Sequence, residues 1–394
     1  MFGMDKVVII MPTYKEAKNI EKMVPALFEE EFPKIENAEM HLLVVNDLPL
    51  GGGADDGTGD IVKNYMNKYK NLHIVEHEKR GLGMAYVRGM KYAMEKLSAD
   101  AVMEMDADFQ HPPRFVRPMV DAYLAGAEYV IGSRYIPGGS VPRQWAISRR
   151  AVSFFGNLFI RIVLLKVKLH DLTTGFRLTK VKGVLDKIKL DELMELGRFA
   201  FKVDLLYQSV KNSKKTVEVP LEFAPRTEEQ SKFDIKEMIA TFKVAIILGI
   251  KDKQRFIKYG IVGFIGYAVN AIGLEVFYRM GATPAIAAAL GAELSIISNF
   301  TWNNLWTFKE EKITQLGRLV YKFVQFNLTS AGAVVIQAIV VGIGTRLFGE
   351  HLRQLMLIIA VGFFVIPYNY AAYNILIWKT WKIPGLTKLQ KILG

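Results

Sequence analysis

The chain has 394 residues, with 51 lysines and arginines against 39 aspartates and glutamates, a formal net charge of +12 and no cysteine. The absence of cysteine excludes disulfides, thiolate metal sites and a cysteine nucleophile. Hydrophobic residues make up 51% of the chain and charged residues 23%, yet the mean hydropathy is +0.17. These values together indicate that apolar and charged residues are concentrated in different parts of the chain.

Strand-like and helix-like segments alternate over about the first 230 residues. Four apolar runs predict strands: Lys6–Met11, His41–Val45, Leu72–Glu76 and Ala101–Met105. The segments between them predict helices, and the alternation predicts an α/β domain with an open, mainly parallel sheet. Ligands of such sheets bind beyond the carboxyl ends of the strands, which is where the distinctive polar residues of this sequence fall.

The most informative polar residues follow the fourth predicted strand. In extended backbone, residues two apart point the same way, so Asp106, Asp108 and Gln110 can present oxygens to one cation. Ligation by oxygen alone suits Mg²⁺ or Mn²⁺, especially when substrate phosphates complete the shell. An Asp-x-Asp pair alone is most often a solvated turn. Its position after an apolar strand and beside a Gln-His-Pro-Pro sequence favours a metal site.

After about Lys258 the composition changes to long apolar segments, each of about 20 residues, which is enough to cross a ~30 Å hydrocarbon core as a helix. The four segments are approximately Tyr259–Tyr278, Pro284–Trp306, Val324–Thr345 and Leu355–Trp378. As helices of a soluble domain they would lack polar faces, so we predict membrane spans.

Two further segments, Val152–Val167 and Phe233–Ile250, are apolar with isolated cations. This pattern is compatible with core helices and with helices that lie in the headgroup plane. The flanking Arg149, Arg150 and Lys166 favour a surface that faces anionic headgroups.

Lysine and arginine are concentrated on one side of the predicted spans, before the first, between the second and third, and in the C-terminal tail. By the positive-inside rule, we predict a multi-pass integral membrane protein with its α/β domain and both termini in the cytoplasm. We interpret the basic excess as membrane anchoring with a few arginines for phosphate, and expect no nucleic-acid partner.

Three motifs resemble, in order and approximate spacing, those of the polyprenyl-phosphate sugar synthases: Pro12–Glu16, Asp106–Pro113 and Gly132–Tyr135. These proteins are inverting family-2 glycosyltransferases of the GT-A fold, and the dolichol-phosphate mannose synthases match best. The membrane part resembles the GtrA-like four-helix proteins over Arg255–Gly263 and Asn303–Phe308.

The resemblance implies three parts. Residues 1–232 form a GT-A glycosyltransferase domain with a mainly parallel sheet, residues 233–254 an interfacial helix and linker, and residues 255–394 an all-α transmembrane domain of four helices.

The resemblance also implies a site for the donor nucleotide. The positions that match the family's donor-binding residues are Pro12, Tyr14, Glu16, Val45, Asn46, Asp47, Asp106, Ala107, Asp108, Gln110, Arg226 and Lys232. Tyr14 is available to stack on a base, and Arg226 and Lys232 belong to a loop that closes over the diphosphate. Asn46 replaces an aspartate of the family, and a glycine-rich segment, Leu48–Gly57, replaces a short turn. The identity of the nucleotide base therefore stays open.

For the acceptor, the resemblance implies that Arg134, Arg149 and Ser153 bind the phosphate of a polyprenyl or dolichyl lipid. Asp171 and Lys202 would lie on the acceptor and sugar side. Asp108, Arg134 and Arg226 would be the catalytic residues. Arg150 is adjacent to Arg149, and the sequence does not determine which of the two points inward.

The implied reaction transfers mannose from GDP-mannose to dolichyl phosphate with inversion, using Mg²⁺ or Mn²⁺, and gives a β-linked product and GDP. One alternative is the same chemistry with UDP-glucose or another UDP-sugar. Another is a lipid-linked sugar flippase or transporter with a degenerate transferase domain, since Glu275 and Glu293 fall within predicted spans. The intact set of Asp106, Asp108 and Gln110 favours an active transferase.

Overall fold

A computed structural model describes residues 3–225 and 235–381. Arg226 and Lys232, which we predict to bind the donor diphosphate, lie outside the described residues. The chain divides into two compact units, Met1–Gly249 and Ile250–Gly394.

In the first unit, seven strands form one sheet in the order β3-β2-β1-β4-β6-β5-β7. Their bounds are β1 (Asp5–Thr13), β2 (Ala38–Leu48), β3 (Leu72–Glu78), β4 (Ala101–Glu104), β5 (Tyr129–Ser133), β6 (Arg177–Lys180) and β7 (Thr216–Pro220). β6 runs antiparallel to β4 and β5, and the other neighbours pair in parallel. The predicted α/β class and mainly parallel sheet are confirmed.

Helices cover both faces of the sheet. In the first unit they are α1 (Ala17–Pro25), α2 (Thr58–Met66), α3 (Leu82–Glu95), α4 (Val116–Leu124), α5 (Ile147–Val163), α6 (Phe201–Asn212) and the start of α7 (Ile235–Arg279). Val7 and Ile9 of β1 pack against α1, α2 and α4, whereas Val8 and Ile10 pack against α3 and α6. A strand buried on both faces reads as a continuous apolar run, which explains the sequence of β1.

α5 and the first turns of α7 pack beside α6 through a third apolar cluster that includes Ile160 and Val244. The opposite face of α5 exposes Phe154, Phe155 and Ile162. An exposed aromatic face next to basic residues is what we predict for a helix in the headgroup plane.

α7 differs from the sequence prediction. We expected an interfacial helix and a first span as separate segments, but one helix of 45 residues contains both. The connecting sequence from Lys251 to Arg255 contains no glycine or proline and consists mostly of good helix formers, so nothing in it ends the helix.

The second unit is helical and continues from α7 with α8 (Pro284–Trp302), α9 (Leu316–Phe348), α10 (Arg353–Ile359) and α11 (Ile366–Ala372). Among the described residues, three helical segments are long and apolar enough to cross a membrane: Ile235–Arg279, Leu316–Phe348 and Ala360–Ile377. α8 forms at the second predicted span but is not among these three.

The two motifs that resemble GtrA-like proteins meet in the second unit. The Arg255 guanidinium lies 5.6 Å from the ring centre of Phe308, which stacks on Trp378 at 4.2 Å between ring centroids. Buried Asn304 donates to the Ile313 carbonyl (3.1 Å) and accepts from the Ile313 amide (2.8 Å) and from the Trp378 indole (3.2 Å). Asn304 therefore ties the turn after α8 to the last helical segment.

We expect Asn304→Ala to lower the free energy of unfolding by about 3 kcal/mol, because three hydrogen bonds of a buried amide are lost. Asn327→Ala is the matched control, since the Asn327 side chain donates only to the Phe323 carbonyl of its own helix among the hydrogen bonds described. Thermal unfolding of the detergent-purified protein measures the difference. Equal melting temperatures for the two variants would contradict the assigned role of Asn304.

Candidate active site

A cavity of about 350 Å³ opens at the carboxyl ends of β1, β2 and β4. We call it the strand-end cavity. Its walls include Pro12, Thr13, Tyr14, Glu16, Asp47, Lys79, Leu82, Asp106, Ala107, Asp108, Gln110, His111, Arg134, Thr173, Thr174, Phe199 and Phe223. The cavity thus lies where ligands of a parallel sheet bind, and it contains most of the predicted donor-site residues.

The three predicted metal ligands line this cavity together, although not by the predicted backbone geometry. β4 ends at Glu104, and the following residues form a turn in which Phe109 has φ +60°. The backbone N–H of Gln110 closes the turn by donating to Asp108 Oδ1 (3.1 Å). A turn, and not an extended strand, brings the oxygens of Asp106, Asp108 and Gln110 to one wall.

This set of donors fits Mg²⁺ or Mn²⁺, which prefer carboxylate and amide oxygens. Among the described residues, no group of three or more histidines, aspartates and glutamates has the arrangement of a metal site. Two carboxylates and one amide oxygen leave coordination positions that substrate phosphates can fill.

Beneath Asp106 lies a buried cation. Lys202 is fully buried, with Nζ 3.4 Å from Glu104 Oε2 and 3.9 Å from Asp106 Oδ1. It also donates to the Gly175 carbonyl (3.2 Å), and lies 4.0 Å from the ring centre of Tyr86. We predict Lys202 on the acceptor and sugar side; the structure places it beneath the cavity wall, with its ammonium group close to the carboxylates of Glu104 and Asp106.

His111 and Tyr86 fix Asp106 from two sides. The Tyr86 hydroxyl donates to Asp106 Oδ1 (2.6 Å), and His111 Nδ1 accepts from the Asp106 amide (3.1 Å). Burial lowers the pKa of His111 to about 4, which outweighs the opposite effect of the Asp106 charge. The imidazole is therefore neutral at pH 7 and acts here as a hydrogen-bond acceptor.

Asn46 and Val45 do not line the cavity, contrary to our expectation. Both are fully buried. Asn46 Oδ1 accepts a hydrogen bond from Thr13 Oγ1 (3.1 Å), and Asn46 Nδ2 donates one to Glu76 (3.4 Å). The Asn46 side chain is therefore engaged by neighbouring residues beneath the cavity wall.

Asp47 is the residue of β2 that lines the cavity. Burial raises its pKa to about 6, against the lowering effect of nearby Arg88 and Lys79. Arg88 Nη1 is 4.0 Å from Asp47 Oδ1. At neutral pH a carboxylate thus faces the cavity, where it can accept hydrogen bonds from a base or a ribose.

Tyr14 lies at the edge of the cavity, 36% exposed. Its ring is covered by Lys79, whose Nζ is 3.2 Å from the ring centre. Lys79 could not be identified from the sequence, because a single lysine in a loop after β3 carries no distinguishing pattern. The glycine-rich segment before α2 is tied to this edge, since Asp56 accepts from the Ala17 amide (2.9 Å).

A second cavity, of about 400 Å³, lies between α5 and the first turns of α7, and we call it the helix groove. The Arg149 guanidinium lines it and lies 3.8 Å from the ring centre of Trp145. Arg150 instead donates to the carbonyls of Trp145 (3.0 Å) and Arg143 (3.3 Å). The structure thus identifies Arg149 as the arginine in the groove.

Ser153 also lines the helix groove, where its hydroxyl is 2.6 Å from that of Tyr135. The predicted lipid-phosphate residues Arg149 and Ser153 therefore share one wall. The groove is otherwise lined largely by apolar groups of α5 and α7, including Val152, Ile160 and Phe242.

The two cavities meet at five shared residues: Gln110, Arg134, Thr173, Phe199 and Phe223. Arg134 is 8% exposed and forms a bidentate pair with Asp171, through Nε to Oδ2 (2.7 Å) and Nη2 to Oδ1 (2.8 Å). Nη2 also donates to Thr173 Oγ1 (2.7 Å). Among the described residues, no hydrogen bond engages Nη1 of Arg134, which leaves this group for a ligand.

Asp171, which we predict on the acceptor and sugar side, is fully buried and paired with Arg134 at the junction of the two cavities. Besides the guanidinium, its carboxylate accepts from the amides of Arg134 (3.0 Å), Thr173 (3.2 Å) and Thr174 (3.0 Å). Burial alone would raise the pKa of Asp171, but the Arg134 charge and these hydrogen bonds outweigh it and lower the pKa. Asp171 thus orients Arg134 and the Thr173 loop.

Phe199 and Phe223 at the junction were not found from the sequence. Each is a single aromatic residue in a loop, and no periodicity distinguishes it from a core residue. Only the folded chain shows that both reach the boundary of the two cavities.

We expect Asp171→Asn to destabilise the first unit by about 3–5 kcal/mol, because Arg134 is left buried without its counterion. The pKa of Asp171 is lowered in the folded state, so its contribution is present above the unfolded-state pKa of about 3.9 and declines as the pH falls below that value. The gap in melting temperature between wild type and Asp171→Asn should therefore shrink below about pH 4. Asp121→Asn, which changes an exposed carboxylate, is the control; a pH-independent gap for Asp171→Asn would contradict the assignment.

The sequence was also compared with known proteins and protein families. Residues 8–186 match the model of the glycosyl transferase family 2, and residues 258–378 match that of the GtrA/DPMS transmembrane domain. A dolichol-phosphate mannosyltransferase from Pyrococcus furiosus is 30% identical over 342 residues, which cover 85% of this chain and 89% of the relative.

Two further relatives match a smaller share of the chain. A polyprenol monophosphomannose synthase from Mycolicibacterium smegmatis is 35% identical over 257 residues, covering 64% of this chain and 90% of the relative. An undecaprenyl-phosphate mannosyltransferase from Micrococcus luteus is 33% identical over 228 residues, covering 58% and 87%. The predicted resemblance is confirmed: the chain belongs to the family-2 glycosyltransferases of the GT-A fold, as a polyprenyl-phosphate sugar synthase with a membrane domain of the GtrA/DPMS type.

Proposed function

We propose that this glycosyltransferase moves mannose from GDP-mannose to the phosphate of dolichyl or another polyprenyl phosphate. The observation that carries the proposal is the meeting of two unlike cavities at Arg134. One is lined by carboxylates at strand ends, and the other by an arginine and apolar helix faces. Relatives named as mannosyltransferases of dolichol phosphate, polyprenol and undecaprenyl phosphate support mannose as the sugar.

The strand-end cavity is the proposed donor site. Asp106, Asp108 and Gln110 would hold Mg²⁺ or Mn²⁺, which supplies Lewis-acid stabilisation of the departing nucleoside diphosphate. Tyr14 offers a flat surface for the base, and Asp47 a carboxylate for its ring N–H groups or for ribose hydroxyls.

The helix groove is the proposed acceptor site. Arg149 and Ser153 would bind the lipid phosphate, and the apolar walls would hold the start of the polyprenyl chain. A guanidinium suits phosphate because its planar donors match the phosphate oxygens. At the junction, Arg134 would also contact the phosphate, with its guanidinium held in position by Asp171.

The nucleophile in this proposal is a phosphate oxygen that is already ionised at neutral pH, so no general base is required. Neutral His111 is consistent with this, since it is occupied as an acceptor for the Asp106 amide. The work left to the protein is to align the phosphate with the anomeric carbon and to offset repulsion between two phosphate groups. Direct displacement inverts the anomeric centre and gives a β-linked product from an α-linked donor.

We further propose that the catalytic unit and both termini are cytoplasmic. Lys251, Lys253, Arg255 and Lys258 precede the most apolar part of α7, and basic residues recur between α8 and α9. Positive residues favour the cytoplasmic side of a membrane.

The assignment is tested by offering labelled GDP-mannose, UDP-glucose and UDP-GlcNAc in parallel to the purified chain with dolichyl phosphate, each with and without EDTA. We expect mannolipid from GDP-mannose only, and its loss with EDTA. Transfer from UDP-glucose alone would contradict the assignment of GDP-mannose as the donor. Transfer that persists in EDTA would contradict the metal requirement. Absence of transfer from every donor would leave the flippase or transporter alternative in place.

Arg149→Ala should raise the KM for the lipid phosphate at least about tenfold, because a charged hydrogen bond to phosphate is worth about 1.5–3 kcal/mol. The adjacent Arg150→Ala is the matched control, since Arg150 donates to the backbone carbonyls of Trp145 and Arg143 and is not among the described residues that line the groove. Initial rates at varied dolichyl phosphate measure both values. A larger effect of Arg150→Ala would reverse the assignment of the two arginines.

A further inference from the structure

Residues 194–200 include Phe199, which lines both cavities. The Leu196 carbonyl accepts from the Met84 amide (3.2 Å). Gly81, at φ +108°, approaches Gly197 so closely that a Cβ on Gly81 would be 2.6 Å from its Cα. One side of the segment is therefore packed tightly against the first turn of α3, which lines the strand-end cavity.

The other side of the segment is held by α7. Glu237 Oε2 accepts from the Phe199 amide (3.1 Å), and Oε1 accepts from Arg198 Nη1 (3.3 Å). A second ion pair between the same two elements joins Lys243 to Glu195 at 3.4 Å. Of these two acidic residues, Glu237 contacts the backbone of Phe199 and Glu195 does not.

Glu237 also lines the helix groove. A carboxylate in a groove that receives a lipid phosphate would oppose binding by charge repulsion unless it were paired. Its pairing with Arg198 offsets that repulsion. Glu237 is thus explained by its hydrogen bonds to Arg198 and to the Phe199 amide, and not by contact with the acceptor.

We propose that Glu237 is a positioning residue for sugar transfer: it ties the first turn of α7 to residues 194–200 and so fixes Phe199 at the junction where the two substrates meet. This inference rests on the proposed function of the two cavities. It assigns to the start of α7 a part in catalysis in addition to forming the wall of the acceptor groove.

The test compares Glu237→Ala, Glu237→Gln and Lys243→Ala in the full chain, with kcat and KM measured for whichever nucleotide sugar the wild type uses. We expect Glu237→Ala to lower kcat about tenfold, since a charged hydrogen bond to the Phe199 backbone is lost. Glu237→Gln should fall between, because its amide oxygen can still accept from the Phe199 amide but cannot pair with Arg198. Lys243→Ala removes an exposed ion pair and should stay close to wild type.

A double-mutant cycle with Phe199→Ala gives a second readout. If Glu237 acts through Phe199, the double variant will lose less kcat than the product of the fold-losses of Glu237→Ala and Phe199→Ala. A loss equal to that product would overturn the proposal, as would equal kcat values for Glu237→Ala and Lys243→Ala.

Hydrogen exchange of residues 194–200 distinguishes this proposal from the proposed function. Faster exchange at Phe199 in Glu237→Ala, but not in Lys243→Ala, supports the tie even if the donor has been assigned wrongly. Unchanged protection in Glu237→Ala would overturn it. A wild type that transfers no sugar from any donor would contradict the proposed function alone.

Discussion

The buried pair of Arg134 and Asp171 is the interaction on which the rest of the site depends. Removing two charges from water is costly, and the cost is recovered only where every polar atom finds a partner. Asp171 meets that condition with three backbone amides in addition to the guanidinium. The result is an arginine whose orientation is set by the protein before any ligand arrives.

The surroundings of this pair extend the constraint to two further elements. The Asn157 side chain of α5 accepts from the Leu172 amide (2.9 Å) and donates to the His170 carbonyl (2.6 Å). Glu218 of β7 accepts from the amides of His170 and Asp171 (both 2.9 Å). The loop that orients Arg134 is thus held by a sheet strand on one side and by a groove helix on the other, which links the polar centre to the acceptor wall.

Much of the fold and part of the site could be predicted from the sequence, because both depend on local patterns. Apolar runs buried on two faces define β1, β2 and β4, and the rule for parallel sheets places Asp106, Asp108 and Gln110 at the ligand edge. The burial of Asp171 and Lys202 could not be predicted, since their partners Arg134 and Glu104 are distant along the chain. Likewise, no local pattern shows that Asn46 turns toward Thr13, or that α7 continues without a break.

Among the residues that the structure describes, the two cavities share five wall residues and differ in polarity along the rest of their surfaces. In the proposed reaction, a water-soluble nucleotide and an amphiphilic lipid would each occupy a cavity of matching polarity. After transfer, the nucleotide would diffuse into the aqueous phase while the glycosylated lipid would follow the apolar wall, so the opposite solubilities of the products would keep them apart.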